Sequence, residues 1–185
     1  MPSFPAARDR FRSPLATDQA EFLEALFAQC EQGLGSFLVQ MLRNRETAQD
    51  VLQETWIVAH KTKLHQVEHP RAWLYGVARR VALKAMRSDR RRRFYEHQAA
   101  TSEHVESHEL GVLDAATVHQ TLQRVLEPED RALVVLRYLH GFSGHELAIM
   151  VGLTPEAARK RLSRCTSRLA TEIRASVGHE GITGR

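Results

Sequence analysis

Between Ser143 and Cys165 the chain reads SGHELAIMVGLTPEAARKRLSRC, a segment dense in groups that can read or neutralise nucleic acid. At about 100° per residue, Glu156, Lys160, Ser163, Arg164 and Ser167 fall on one face of a helix. Arg159, Arg161 and Arg168 flank that face. Guanidinium, ammonium, hydroxyl and carboxylate groups in this arrangement can bond to base edges and phosphate oxygens in a DNA major groove. The opposite face is an apolar seam of Ala158, Leu162, Cys165, Leu169 and Ile173, spaced four, three, four and four. One side of the helix can therefore be buried while the other lies in a groove.

A helix-turn-helix would hold that face in place. Glu146, Leu147 and Ala148 belong to its first helix, and small Ala148 permits close approach of the second. Gly152 supplies the tight turn, and Leu153 is expected to plug the angle between the helices. Thr154 can cap the second helix, and Pro155 suits its first turn, where no intrahelical N–H is needed.

The 185 residues suffice for one medium domain or two small ones. The net charge of +4 is unevenly spread. Residues 61–93 carry a net +9 and residues 154–174 a net +4, while residues 94–130 carry −7. Two basic blocks around an acidic one suit two nucleic-acid contacts joined by a spacer that avoids the polyanion. Cys30 and Cys165 each sit on an apolar helical face and read as small buried hydrophobes, not as a disulfide. The start of the chain shows no signal peptide, and no stretch approaches the length of a membrane span, so a cytoplasmic protein is expected. Gly-rich phosphate loops, nucleophile constellations and paired-Cys metal motifs are absent, so neither enzymatic catalysis nor a cofactor or metal is expected. His97, His104 and His108 read as solvated residues and not as metal ligands.

Helical periodicity recurs throughout, with no strand pattern of useful length. A loose tail (1–20) precedes a helix carrying Phe22, Leu23, Leu26, Phe27 and Cys30. After an expected break at Gly33 and Gly35, a second apolar run follows in Leu34, Phe37, Leu38, Met41 and Leu42. A helix starting near Glu46 or Thr47, with Thr47 as its cap, carries Val51, Leu52, Thr55, Trp56 and Ala59. A polar loop spans Thr62 to His69, and Pro70 opens a helix that ends in the run Arg90 to Arg93. Residues 96–112 read as an acidic linker; helices return with Val118, Leu122, Val125 and Leu126, and again after Pro128. The expected architecture is all-α: a bundle over 21–95, the linker, a second bundle over 113–175 containing the helix-turn-helix, and a tail over 176–185.

In this order the parts resemble the bacterial RNA polymerase sigma factors of the extracytoplasmic-function type. The resemblance runs from about Glu21 to Ile173. It is carried by Ala48-Gln49-Asp50-Val51-Leu52-Gln53-Glu54-Thr55-Trp56, by Pro70-Arg71-Ala72-Trp73-Leu74-Tyr75-Gly76-Val77-Ala78-Arg79-Arg80, by Leu126-Glu127-Pro128-Glu129-Asp130-Arg131, and by the helix-turn-helix. The resemblance implies an alternative sigma factor that binds core RNA polymerase, recognises the −35 and −10 promoter elements and helps to melt the latter. Asp50, Gln53, Glu54 and Trp56 would dock on the clamp of the large polymerase subunit. The loop from Thr62 to His69 would hold a base flipped from the −10 element. Lys61, Lys63, Arg79, Arg80, Lys84 and Arg87 would serve the melted strand, with Trp73 more core than stacking platform. Glu156, Arg159, Lys160, Ser163 and Arg164 would read the −35 element, with Arg161 and Arg168 on phosphates. The implied partners are core polymerase, promoter DNA and an anti-sigma factor or other regulator. Two departures stand out. Thr47-Ala48-Gln49-Asp50 lacks two acids of the family's usual Asp-Ala-Glu-Asp, and Arg80 stands where an Asn is usual. The alternatives are a stand-alone helix-turn-helix regulator, which needs neither the Asp50–Trp56 helix nor the basic aromatic one, and an inhibitor that mimics the fold.

Overall fold

A computed structural model describes residues 19–97 and 115–180; for 93–97, 115–119 and 176–180 it describes the backbone alone. The helices are α1 (Gln19–Leu42), α2 (Arg45–His60), α3 (Pro70–His97), α4 (Ala115–Val125), α5 (Pro128–Tyr138), α6 (Gly144–Val151) and α7 (Pro155–Glu180). A single 3-10 turn, Leu64–Gln66, lies between α2 and α3. No strand occurs among the described residues. The tail 1–18, most of the acidic linker, and His97, His104 and His108 fall outside the described residues or side chains.

The expected break at Gly33 and Gly35 does not occur: α1 runs unbroken for 24 residues. The reason is tertiary. A Cβ at Gly33 would stand 2.6 Å from the hydroxyl oxygen of Tyr75, so this glycine makes room for an α3 side chain and does not end a helix. The start of α2 also differs from the sequence expectation. Its cap is Asn44, whose side chain accepts from the Thr47 backbone N–H at 2.9 Å, so Thr47 lies inside the first turn and does not cap it. The basic helix likewise outlasts its arginine run and continues to His97.

Helices α1, α2 and α3 pack against one another around Leu26, Leu34, Phe37, Leu38, Met41, Ala59 and Leu74, all buried. Helices α4, α5 and α7 enclose a smaller cluster of Leu122, Leu126, Val134, Cys165 and Leu169. The two bundles also meet. On its other side α5 presents Leu133 and Leu136, and with Phe142, Leu147 and Met150 these join the first cluster. Packing of α6 on α3 carries this junction.

Candidate nucleic-acid and polymerase interface

The helix-turn-helix is built as its sequence suggests. Ser143 caps α6 and accepts from the Glu146 backbone N–H at 3.2 Å, while the Ser143 N–H donates to the Glu146 carboxylate at 2.8 Å. Gly152 ends α6 with φ of 67°, a left-handed conformation that glycine adopts without steric cost. Thr154 then caps α7, its hydroxyl accepting from the Ala157 N–H at 3.2 Å. Leu153 does not plug the angle, because its side chain is 37% exposed. The buried side chains of the two helices near the turn are Leu147, Ala148, Met150 and Ala158. The α7 seam holds through Ala158, Cys165 and Leu169 but fails at Ile173, which is 40% exposed.

On the outer face of α7, Glu156, Arg159, Lys160, Ser163, Arg164, Ser167 and Arg168 are all exposed. Arg159, Lys160, Ser163 and Arg164 border one shallow concavity. Glu156 and Lys160 form an ion pair at 2.8 Å, one turn apart. Two flanking arginines are engaged within the protein. Arg161 is partly buried and donates to the Asp130 carboxylate at 2.6 Å, which ties α7 to α5. Asp130 thus holds Arg161 through its Nε, so this side chain is tied within the protein and is not free on the outer face as expected. Arg168 donates to the Val125 carbonyl at 2.6 Å, at the C-terminus of α4, where a cation complements the helix dipole.

In the first bundle, Asp50, Gln53 and Glu54 are exposed along one side of α2. Trp56 is not beside them. It is 8% exposed and packs on Phe27 with ring centroids 4.5 Å apart, so the anchor expected there belongs to the core. Lys61, Lys63, Arg80 and Lys84 are exposed, and Trp73 is half-buried against the core. The loop before α3 is pinned by Leu64, which is fully buried.

Arg79 and Arg87 require correction. Arg79 is 8% exposed, not spread on a strand-tracking face. Burial foremost, then the nearby Arg161 charge, holds its guanidinium below the usual value, with Glu129 opposing. Arg87 is paired with Glu129 of α5. In both cases the cause is the docking of the second bundle, which the helical pattern of α3 does not contain. Sequence reasoning also missed an aromatic cluster at that junction. Phe142, Tyr75, Phe37 and His140 meet there, and Arg71 lies 3.9 Å over the Phe142 ring. Arg71 and Tyr75 belong to the Pro70–Arg80 run, but nothing in that run marks them as contacts to a second bundle. Missed as well was a groove of about 340 Å³ between α4, α5 and α7, bordered by Leu122, Val135, Tyr138, Leu139 and Ile173. The cysteines match expectation: both are buried and free, and burial pushes the Cys30 thiol up to about 11.

The sequence matches known family models in two places. The family model of sigma-70 region 2 matches residues 26–92, and that of sigma-70 region 4 matches residues 120–168. The RNA polymerase sigma factor CarQ of Myxococcus xanthus is 31% identical over 151 residues, covering 76% of this chain and 83% of CarQ. The chain belongs to the sigma-70 family. It is a sigma factor of the extracytoplasmic-function type, the class that also includes SigL of Mycobacterium tuberculosis, 28% identical over 156 residues, or 81% of this chain and 88% of SigL. The fold resembles the sigma factor RpoE of Bartonella quintana, solved in complex with the anti-sigma factor NepR. The TM-score is 0.66 at 22% identity, over 83% of this chain and 98% of that one. No described helix of the sigma factor is long and apolar enough to cross a membrane.

Proposed function

We propose that this sigma factor docks on core RNA polymerase through the exposed side of α2, reads the −35 element with α7, and engages the −10 strand with the basic side of α3. The observation that carries this reading is the outer face of α7: Glu156, Arg159, Lys160, Ser163 and Arg164 are exposed together on a helix whose entry is fixed by a capping box and a left-handed glycine. Groups that read base edges must be pre-positioned, and helix geometry does this without ordering a loop. Asp50, Gln53 and Glu54 offer carboxylates and an amide to a basic partner surface. Lys61, Lys63, Arg80 and Lys84 supply exposed cations for strand phosphates. The protein catalyses nothing itself; the polymerase does the chemistry. It works in the cytoplasm with the polymerase. Restraint by an anti-sigma factor belongs to the same reading, supported by the solved RpoE–NepR complex.

Transcription in vitro tests this. Core polymerase with the sigma factor should start RNA at discrete positions on genomic templates, and the mapped starts should share two upstream elements. Footprints formed by the protein without polymerase, together with no change in start sites on its addition, would sink the reading in favour of a stand-alone regulator.

A further inference from the structure

Five cations lie on or beside the outer face of α7: Arg159, Lys160, Arg161, Arg164 and Arg168. Glu156 is the one acid of this helix before Glu172. It is the second residue of α7, and its carboxylate pairs with the Lys160 ammonium at 2.8 Å. The Glu156 and Lys160 side chains are 64% and 70% exposed. Holding the helix together does not account for the pair. Exposed ion pairs one turn apart add little stability. Helix α7 already has its cap at Thr154, Pro155 in its first turn, and a seam buried at Ala158, Cys165 and Leu169. Against a polyanion, moreover, a carboxylate is repelled unless it accepts a hydrogen bond from a base.

The N-terminal turns of a recognition helix are the ones that reach base edges. In the major groove the bases offer two donors, the amino groups at cytosine N4 and adenine N6. The Glu156 carboxylate is an acceptor only, and the Lys160 ammonium is a donor only. Side by side they form an acceptor–donor edge. A C·G pair presents the complement: a donor at cytosine N4 beside an acceptor at guanine O6, joined by a Watson–Crick bond of roughly 2.9 Å. The ion pair has the same spacing. Guanine N7 adds a second acceptor on the lysine's side, which the ammonium can bridge. An A·T pair fits less well, since adenine N7 faces the carboxylate and the thymine methyl faces the ammonium. Reversed pairs, G·C and T·A, set an acceptor against the carboxylate and a donor against the ammonium.

We infer that Glu156 and Lys160 act as one unit that reads a single C·G pair of the −35 element, with Lys160 both positioning the carboxylate and donating to the guanine. The inference rests on the assignment of α7 to that element. Within it, Glu156 is the residue that rejects, because a carboxylate placed against O4 of thymine or O6 of guanine is repelled. Arg164 lies about 12 Å further along the helix at ~1.5 Å per residue, and so addresses a different pair.

The test is a library of templates randomised across the −35 element, each with a transcribed barcode, read after transcription by core polymerase with the full-length protein. Wild type should show one position at which C·G exceeds every other pair by roughly five- to a hundredfold. Glu156→Gln removes the charge and keeps the side-chain length, and an amide matches adenine N6 and N7 together. It should move the preference at that position to A·T and leave the other positions as they were. Lys160→Ala should flatten the preference at the same position. Both side chains are exposed, so melting curves should match wild type. A −35 element without such a C·G position overturns the inference. So does wild-type preference or uniform loss in Glu156→Gln, or an effect of Lys160→Ala at a different position. In each of these cases the assignment of α7 to the −35 element stands. A wild type that selects no −35 sequence at all overturns both.

Discussion

Arg161 and Arg164 are three residues apart on α7 yet face different neighbours. Arg161 is bound to Asp130, whereas Arg164 is exposed beside Arg159, Lys160 and Ser163. Their substitutions should therefore separate stability from reading. Arg164→Ala is expected to cost about 1–3 kcal/mol at one base pair and to relax preference there, as measured by titration against single-base-pair variants of the −35 element. A uniform loss across all variants would make Arg164 a phosphate contact. Arg161→Ala should leave the preference pattern intact and lower thermal stability by about 1–2 kcal/mol, since it strands a partly buried carboxylate. At this scale the outer face of α7 was legible, because helical spacing alone separates Arg164 from the seam. The engagement of Arg161 was not, since Asp130 lies 31 residues away on another helix.

Among the elements, α6 is the shortest helix and has the most explicit ends. Eight residues give too few internal bonds to offset nucleation, so its caps and packing must hold it. Ser143→Ala removes one half of the capping box and should cost about 1 kcal/mol, a fall of roughly 2–4 °C in melting temperature for a chain of this size. An unchanged melting curve would show that packing on α3 alone fixes the helix. The signals that made the helix-turn-helix legible, Gly152 at the turn and Thr154-Pro155 at the start of α7, are likewise local, whereas the capping box of Ser143 and Glu146 was not read from the chain. Gly33 shows the converse. The residue signals a break locally, but its reason is the Tyr75 hydroxyl of another helix, and so α1 was divided in error. Trp56 and Ile173 show the same limit, since periodicity places a side chain on a face without saying whether that face is covered.

At the scale of the whole molecule, what the sequence could not show is the docking of one bundle on the other, and that docking governs Arg79, Arg87 and His140 alike. His140 follows α5 and packs on Phe37 and Tyr75 of the first bundle, with ring centroids 5.7 and 5.6 Å away. Burial, and then the charge of Arg71, lowers its pKa from 6.5 to about 4. The docked form therefore refuses a proton that the unfolded or separated form accepts between pH 6.5 and 4. Docking stability is complete above that window and is lost as pH falls through it. At pH 5.5 the loss should be about 1 kcal/mol or less, because the side chain is only partly buried and solvent screens it. Other charged groups lie at the junction, Arg71 and the Arg87–Glu129 pair. The comparison must therefore be differential. Urea midpoints at pH 7.5 and 5.5 should differ more for wild type than for His140→Gln, which cannot take up the proton. Equal pH sensitivity in the two proteins would show that His140 does not carry the acid response.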